Sequence, residues 1–142
     1  MSVVTAEPVA SHLLLSTRLV RELGEPRSTL RATTDRLGAA VLIHAGGEVD
    51  ACNEHTWRHL INEAATSVPA SGLLIVDVTD LDFMGCCALS VLAEEAERCR
   101  RRGVSLRLAS SPSAVARIVS ACGLSEILPV FPTADAALTL RG

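Results

Sequence analysis

Residues 73 to 103 constrain the fold more than any other part of this chain. The segment opens with an unbroken apolar run, Leu73-Leu74-Ile75-Val76, that closes on Asp77. A short run of this kind reads as a strand buried on both faces. Thr79 to Asp82 reads as an acidic, turn-like bend; Phe83-Met84 follow, and then four small residues, Gly85-Cys86-Cys87-Ala88. Leu89, Leu92, Ala96 and Cys99 then recur on one face of a helix, which ends in Arg100-Arg101-Arg102, cations that complement the negative end of the helix dipole. A strand that feeds a helix through small residues brings unpaired backbone N–H groups and a positive dipole end to the surface. A side chain on the first helical residue is then suited to anionic chemistry, above all phosphorylation.

The flanking segments alternate in the same way. Leu30 to Thr34 and Ala40 to Ala45 read as strands joined by a hairpin turn at Asp35-Arg36-Leu37-Gly38. Gly46-Gly47 reads as a turn, and Asp50 as the N-cap of a helix that buries Trp57, Leu60, Ile61, Ala64 and Val68 and breaks at Pro69 to Gly72. Val104 to Ala109 is a further strand. Ser110-Ser111-Pro112-Ser113 opens a helix with Val115, Ile118, Val119 and Cys122 facing inward and Gly123 just past its end. Ile127 to Phe131 is extended, and Thr133 caps a last helix through Leu140. This order predicts an α/β layer fold with a four- or five-stranded mixed sheet and about four helices. Residues 1–27 read as a partly ordered extension in which Leu15, Leu19 and Leu23 stripe a short helix that stops at Gly24-Glu25-Pro26. Residues 28–142 form the domain.

Composition removes several function classes. At 142 residues the chain fits one core. A net charge of −3, with scattered arginines, argues against a nucleic-acid binder, which would present a basic face. No apolar run approaches the ~20 residues that span a bilayer, and the N-terminus lacks a basic stretch ahead of an apolar one, so a cytoplasmic protein is expected. Five cysteines are an odd number, and cytosolic thiols are normally reduced, which argues against a structural disulfide framework. No nucleophile–base pair, glycine-rich phosphate loop or paired-carboxylate cleft stands out. Neither an enzyme nor a cofactor is expected.

The segment from Leu73 to Gly103 resembles the STAS domains of bacterial anti-anti-sigma factors, in which a strand, Asp-Phe-Met, Asp-Ser-Ser-Gly and a helix follow one another. Gly46-Gly47-Glu48-Val49-Asp50 is similar to the Gly-Glu-Leu-Asp signature after the second strand of that family. The likeness extends over roughly residues 28 to 142. It implies a single STAS domain that docks on an anti-sigma factor with a histidine-kinase-like ATP-binding fold and so frees a sigma factor for transcription. The docking surface would be formed by Asp50 and by Met84, Gly85, Cys86, Cys87, Ala88 and Leu89. In the family the first serine of the loop is phosphorylated by the partner kinase. Here Cys86 occupies that position, Gly85 stands for the family aspartate, Cys87 for the second serine and Ala88 for the glycine. A thiol is no substrate for a serine kinase, so the chain would bind constitutively or be switched by thiol oxidation. STAS domains also serve as non-enzymatic subunits of ABC transporters and of stress-signalling assemblies. Those roles need no phosphorylatable serine and form the alternative.

Several side chains carry two readings. Cys86 at a helix N-terminus is a candidate redox thiol, yet Cys is also a small hydrophobe that fits where Ser would; the same holds for Cys87. Cys99 and Cys122 fall on apolar stripes near the C-terminal ends of their helices. They are the more plausible disulfide pair, and more often such residues are buried, inert thiols. Ser90 and Thr79 are the nearest hydroxyls that could take over as phospho-acceptors, although both are ordinary helix and strand residues. Cys52, His55 and His59, at spacings of three and four, share a helix face but lack a fourth ligand, so no metal is expected.

Overall fold

The computed structural model describes residues 11–12, 15–24, 29–110 and 113–139. In chain order these form β1 (Ser11–His12), α1 (Thr17–Leu23), β2 (Leu30–Leu37), β3 (Ala40–Val49), α2 (Glu54–Thr66), β4 (Leu73–Met84), α3 (Cys86–Arg101), β5 (Ser105–Ala109), α4 (Ser113–Ala121), β6 (Val130–Phe131) and α5 (Ala134–Thr139). The strands make one mixed sheet in sequential order. β1–β2 and β2–β3 are antiparallel, and the β3–β4, β4–β5 and β5–β6 pairs are parallel. Each edge carries a strand of only two residues. Four longer strands form the body, as the alternating pattern predicted; β1, from the extension, carried no sequence signal.

The two-residue period of a strand divides its side chains between the two faces of the sheet. Val41, Ile43 and Ala45 of β3, Leu74, Val76 and Val78 of β4, and Leu106 and Leu108 of β5 enter the main core with Trp57, Leu60, Leu92 and Cys99. Ile75 and Ala109 point the other way and pack on Ala137 of α5. The apolar run at Leu73–Val76 is thus buried on both sides.

The hairpin turn is tighter than expected. β2 runs on through Leu37, which pairs with Ala40, and Gly38 turns the chain at φ 63°. The bend expected at Thr79 to Asp82 is absent; β4 continues to Met84. Its acidic stretch is bulged: Val78 and Thr79 of β4 oppose the single Ala45 of β3 between the pairs His44/Asp77 and Gly46/Asp80, and the register shifts again between Gly47 and Glu48. Bulges absorb extra residues without ending a strand. Gly46-Gly47 is no turn either, because both glycines lie inside β3. Gly47 has φ 90°, and a Cβ there would sit 1.7 Å from the Thr29 carbonyl oxygen.

Two helices meet expectation at their inner faces and one does not. Trp57, Leu60, Ile61 and Ala64 of α2, with Val68 beyond it, are buried, as are Leu92, Ala96 and Cys99 of α3. On α4, Val119 is buried, but Ile118 is 47% exposed and Cys122 lies in the open. Val115 is half-buried against the core, so the stripe read from the sequence reaches it through Val115 and Val119 only. Leu19 of α1 joins the core, with Leu15 and Leu23 packed against it. Ser16 caps α1, and its hydroxyl donates to Glu63 of α2 at 2.7 Å. Glu22 accepts from the Thr56 hydroxyl at 3.1 Å. The three arginines at the end of α3 have unequal roles. Arg100 pairs with Glu97, whereas Arg102 donates to the Ala65 and Val68 carbonyls at the C-terminal end of α2.

Candidate functional site

The ends of two parallel strands build the site. Val49 and Met84 are register partners, and the Gly85 N–H donates to the Val49 carbonyl at 2.9 Å. This bond holds the start of α3 against the turn that leaves β3. Asp50, expected to cap α2, does not. Its Oδ1 accepts from the Cys52 and Asn53 N–H groups at 2.9 and 3.3 Å, an Asx turn that closes ahead of the helix. Asn53 occupies the cap position instead. Its side-chain oxygen accepts from the Asp50 N–H at 2.9 Å, and its NH2 donates to the Glu48 carbonyl at 2.9 Å. The aspartate is thus fixed by the turn, half-buried, at the same end of the sheet as the α3 N-terminus.

α3 begins at Cys86, three residues ahead of the apolar stripe. Gly85 is its N-cap, in extended backbone with no side-chain cap. Cys86 is exposed, Cys87 and Leu89 are half-buried, and Met84 is half-buried beside them. Ala88 is fully buried and takes the Trp57 indole N–H on its carbonyl at 3.2 Å. It supports the loop from within rather than forming part of its surface. The chain therefore presents a thiol on the first residue of an uncapped helix, with the Asp50 turn alongside.

The other candidates fall elsewhere. All five cysteines are free thiols, so no Cys99–Cys122 bridge forms. Cys99 is buried; its thiol is pushed up to about 11, first by burial and second by the Glu95 carboxylate. Cys122, expected to be buried, is exposed past the end of α4. The Cys52-His55-His59 face holds no metal constellation, and none exists among the described residues. His55 lies against the Thr56 hydroxyl, and His59 turns to Glu22 of α1 at 3.8 Å. Ser90 is exposed one turn along α3. Thr79 is engaged, its hydroxyl and N–H both donating to Asp77 Oδ1 at 2.7 and 2.9 Å.

Sequence reasoning missed two features. Asp77 Oδ2 pairs with His44 Nδ1 at 3.0 Å across the β3–β4 register, so Asp77 closes a polar file on the α5 side of the sheet. The hint was a polar residue at matching positions of two apolar strands. The other feature is the exposure of Phe83 and Ile118, which flank an apolar groove. No sequence signal separates an exposed Ile from a buried one on a helix with a broad apolar face.

A family model described as the STAS domain matches residues 31–137. The chain belongs to the STAS family. The STAS chain is 63% identical over 138 residues to Rv2638 of Mycobacterium tuberculosis, a candidate anti-anti-sigma factor, covering 97% of this chain and 93% of that protein. It is 55% identical over 112 residues to the anti-sigma-F factor antagonist RsfA of the same species, covering 79% of this chain and 88% of RsfA. Among solved structures, an anti-sigma factor antagonist from Mycobacterium paratuberculosis superposes with a TM-score of 0.68 at 23% identity, over 82% of this chain and 97% of that one. The unphosphorylated anti-sigma factor antagonist SpoIIAA gives 0.60 at 17% identity, over 75% and 92%. These two show the shared fold. Among the described residues no helix is long and apolar enough to cross a membrane.

Proposed function

We propose that this STAS protein is an anti-sigma factor antagonist that docks on a kinase-like, ATP-binding anti-sigma factor and frees its sigma factor. The docking unit is the domain from residue 28 onward, and the surface is the sheet end carrying Asp50 and the loop from Met84 to Leu89. The observation that carries this reading is the exposed Cys86 on the first residue of α3 beside the Asp50 turn. That is where the family places its phospho-acceptor. A serine there would gain close to two negative charges on phosphorylation and be expelled from a packed interface. Cys86 cannot be switched by that route. Binding is then constitutive, or is switched by peroxide, which transfers one oxygen to the thiolate sulfur, giving a sulfenic acid and leaving as hydroxide. The relatives named as anti-sigma-F factor antagonists support the partner class.

The test is a binding titration of the full chain against purified anti-sigma factors, the anti-sigma-F factor foremost. Cys86→Asp places a charge to be desolvated in the interface and weakens binding by about 2–4 kcal/mol. Cys86→Ala binds nearly as the wild type does. Arg101→Ala, exposed at the far end of α3, changes little, as solvated charges usually do. A Cys86→Asp variant with wild-type affinity beside a weakened Arg101→Ala would put the interface at the other end of the domain.

A further inference from the structure

We propose that the groove between the distal half of β4 and helix α4 is a second, apolar contact with the anti-sigma factor, receiving one bulky hydrophobic side chain flanked by a basic residue. The inference rests on the functional reading above. It adds a surface outside the phospho-acceptor loop.

β4 outruns its neighbour. β5 pairs only with Leu73 to Asp77, so beyond Asp77 β4 has β3 on one side and no strand on the other among the described residues. α4 stands off there and leaves a groove of about 160 Å³ lined by Leu81, Phe83, Met84, Leu89, Val115 and Ile118. An apolar cavity of about 150 Å³ is enough to take up benzene. Phe83 is 54% exposed and Ile118 47% exposed, and they are two of the four large apolar side chains so exposed among the described residues. The other two, Val20 and Leu138, stand apart on α1 and α5. Paired apolar side chains at the lips of a groove are the pattern of a site that buries a partner's anchor residue.

Continuity and charge name the occupant. Met84 and Leu89 belong both to the groove and to the loop of Cys86. The Phe83 ring reaches within 3.6 Å, and the Cys87 sulfur within 3.8 Å, of the point where a side chain on Gly85 would begin. A protein seated on Cys86 therefore meets Phe83 next. Asp82 lines the groove, while the first turn of α3 carries no acidic residue. The strand lip thus attracts a cation adjacent to the inserted apolar group.

The experiment is calorimetric titration of the full chain with the purified anti-sigma-F factor. Phe83→Ser and Ile118→Ser each lower affinity tenfold or more, and Phe83→Leu restores most of it. Asp82→Lys lowers affinity about three- to tenfold and flattens its salt dependence. Val20→Ser, equally exposed on α1, leaves binding unchanged. Wild-type affinity in both serine variants, with binding still weakened by Cys86→Asp, overturns the groove and leaves the proposed function standing. An equal loss in Val20→Ser overturns the groove as well. No binding by the wild type overturns both.

Discussion

Trp57 and Ala88 are joined across the core: the indole N–H donates to the Ala88 carbonyl at 3.2 Å, tying the first turn of α2 to the first turn of α3. The bond anchors the loop of Cys86 from inside. Trp57→Phe keeps most of the buried ring and loses the bond, at a cost of about 1 kcal/mol. Trp57→Ala opens a cavity and costs about 3–5 kcal/mol. Urea unfolding of the two variants gives both values, and a Trp57→Phe variant as stable as the wild type would mean that the ring alone matters.

Two glycines should respond oppositely to a side chain. Gly85 has φ −72°, and a Cβ there meets its neighbours at no less than 3.6 Å, ordinary contact. Gly85→Asp therefore fits and supplies the missing N-cap carboxylate, stabilising by about 0.5 kcal/mol, a Tm rise of about 1–2 °C. Gly47→Ala would drive its Cβ into the Thr29 carbonyl at positive φ, a loss of about 2 kcal/mol or more. Thermal melts of the pair check this.

Incubation with an anti-sigma kinase and ATP leaves the wild type unmodified by mass spectrometry. Cys86→Ser gains phosphate, and more readily when combined with Gly85→Asp. Thr79 stays unmodified, because phosphorylation would remove its hydroxyl bond to the buried Asp77 carboxylate and set a phosphate against that carboxylate. Phosphate on Ser90 or Thr79 of the wild type would show that the acceptor has moved along the chain.

Cys99 gives a signature at alkaline pH. Its thiol is raised from 9.0 to about 11 in the folded state, chiefly by burial. The unfolded chain ionises first, so the contribution of this group is whole below pH 9 and is lost as pH rises from about 9 to 11. Cys99→Ala flattens that part of the stability profile. An alkylating reagent modifies Cys52, Cys86 and Cys122, all exposed, in the native protein and reaches Cys99 only on unfolding.

Much of this molecule is written locally. The run Leu73 to Val76, the stripes of Trp57-Leu60-Ile61 and Leu92-Ala96-Cys99, and the small residues before α3 each state their own periodicity. A strand or a helix face is a property of neighbours along the chain. The family pattern likewise sits in contiguous residues, which is why Cys86 could be placed at the helix start before any geometry was known. Pairing decided the rest. The acidic stretch after Asp77 is a strand because the Gly46-Gly47 segment of β3 lies beside it and takes up the extra residues. Asp50 does not cap α2 because the helix starts only at Glu54 and the aspartate's carboxylate closes a turn on the Cys52 and Asn53 N–H groups instead. Ile118 and Cys122 face solvent because α4 rests on the core through the buried Val119 and the half-buried Val115. His44 finds Asp77 only across a parallel register. Sequence spacing sets which residues share a face; the placement of one element against another sets which face is covered, and that depends on contacts between residues far apart in the chain.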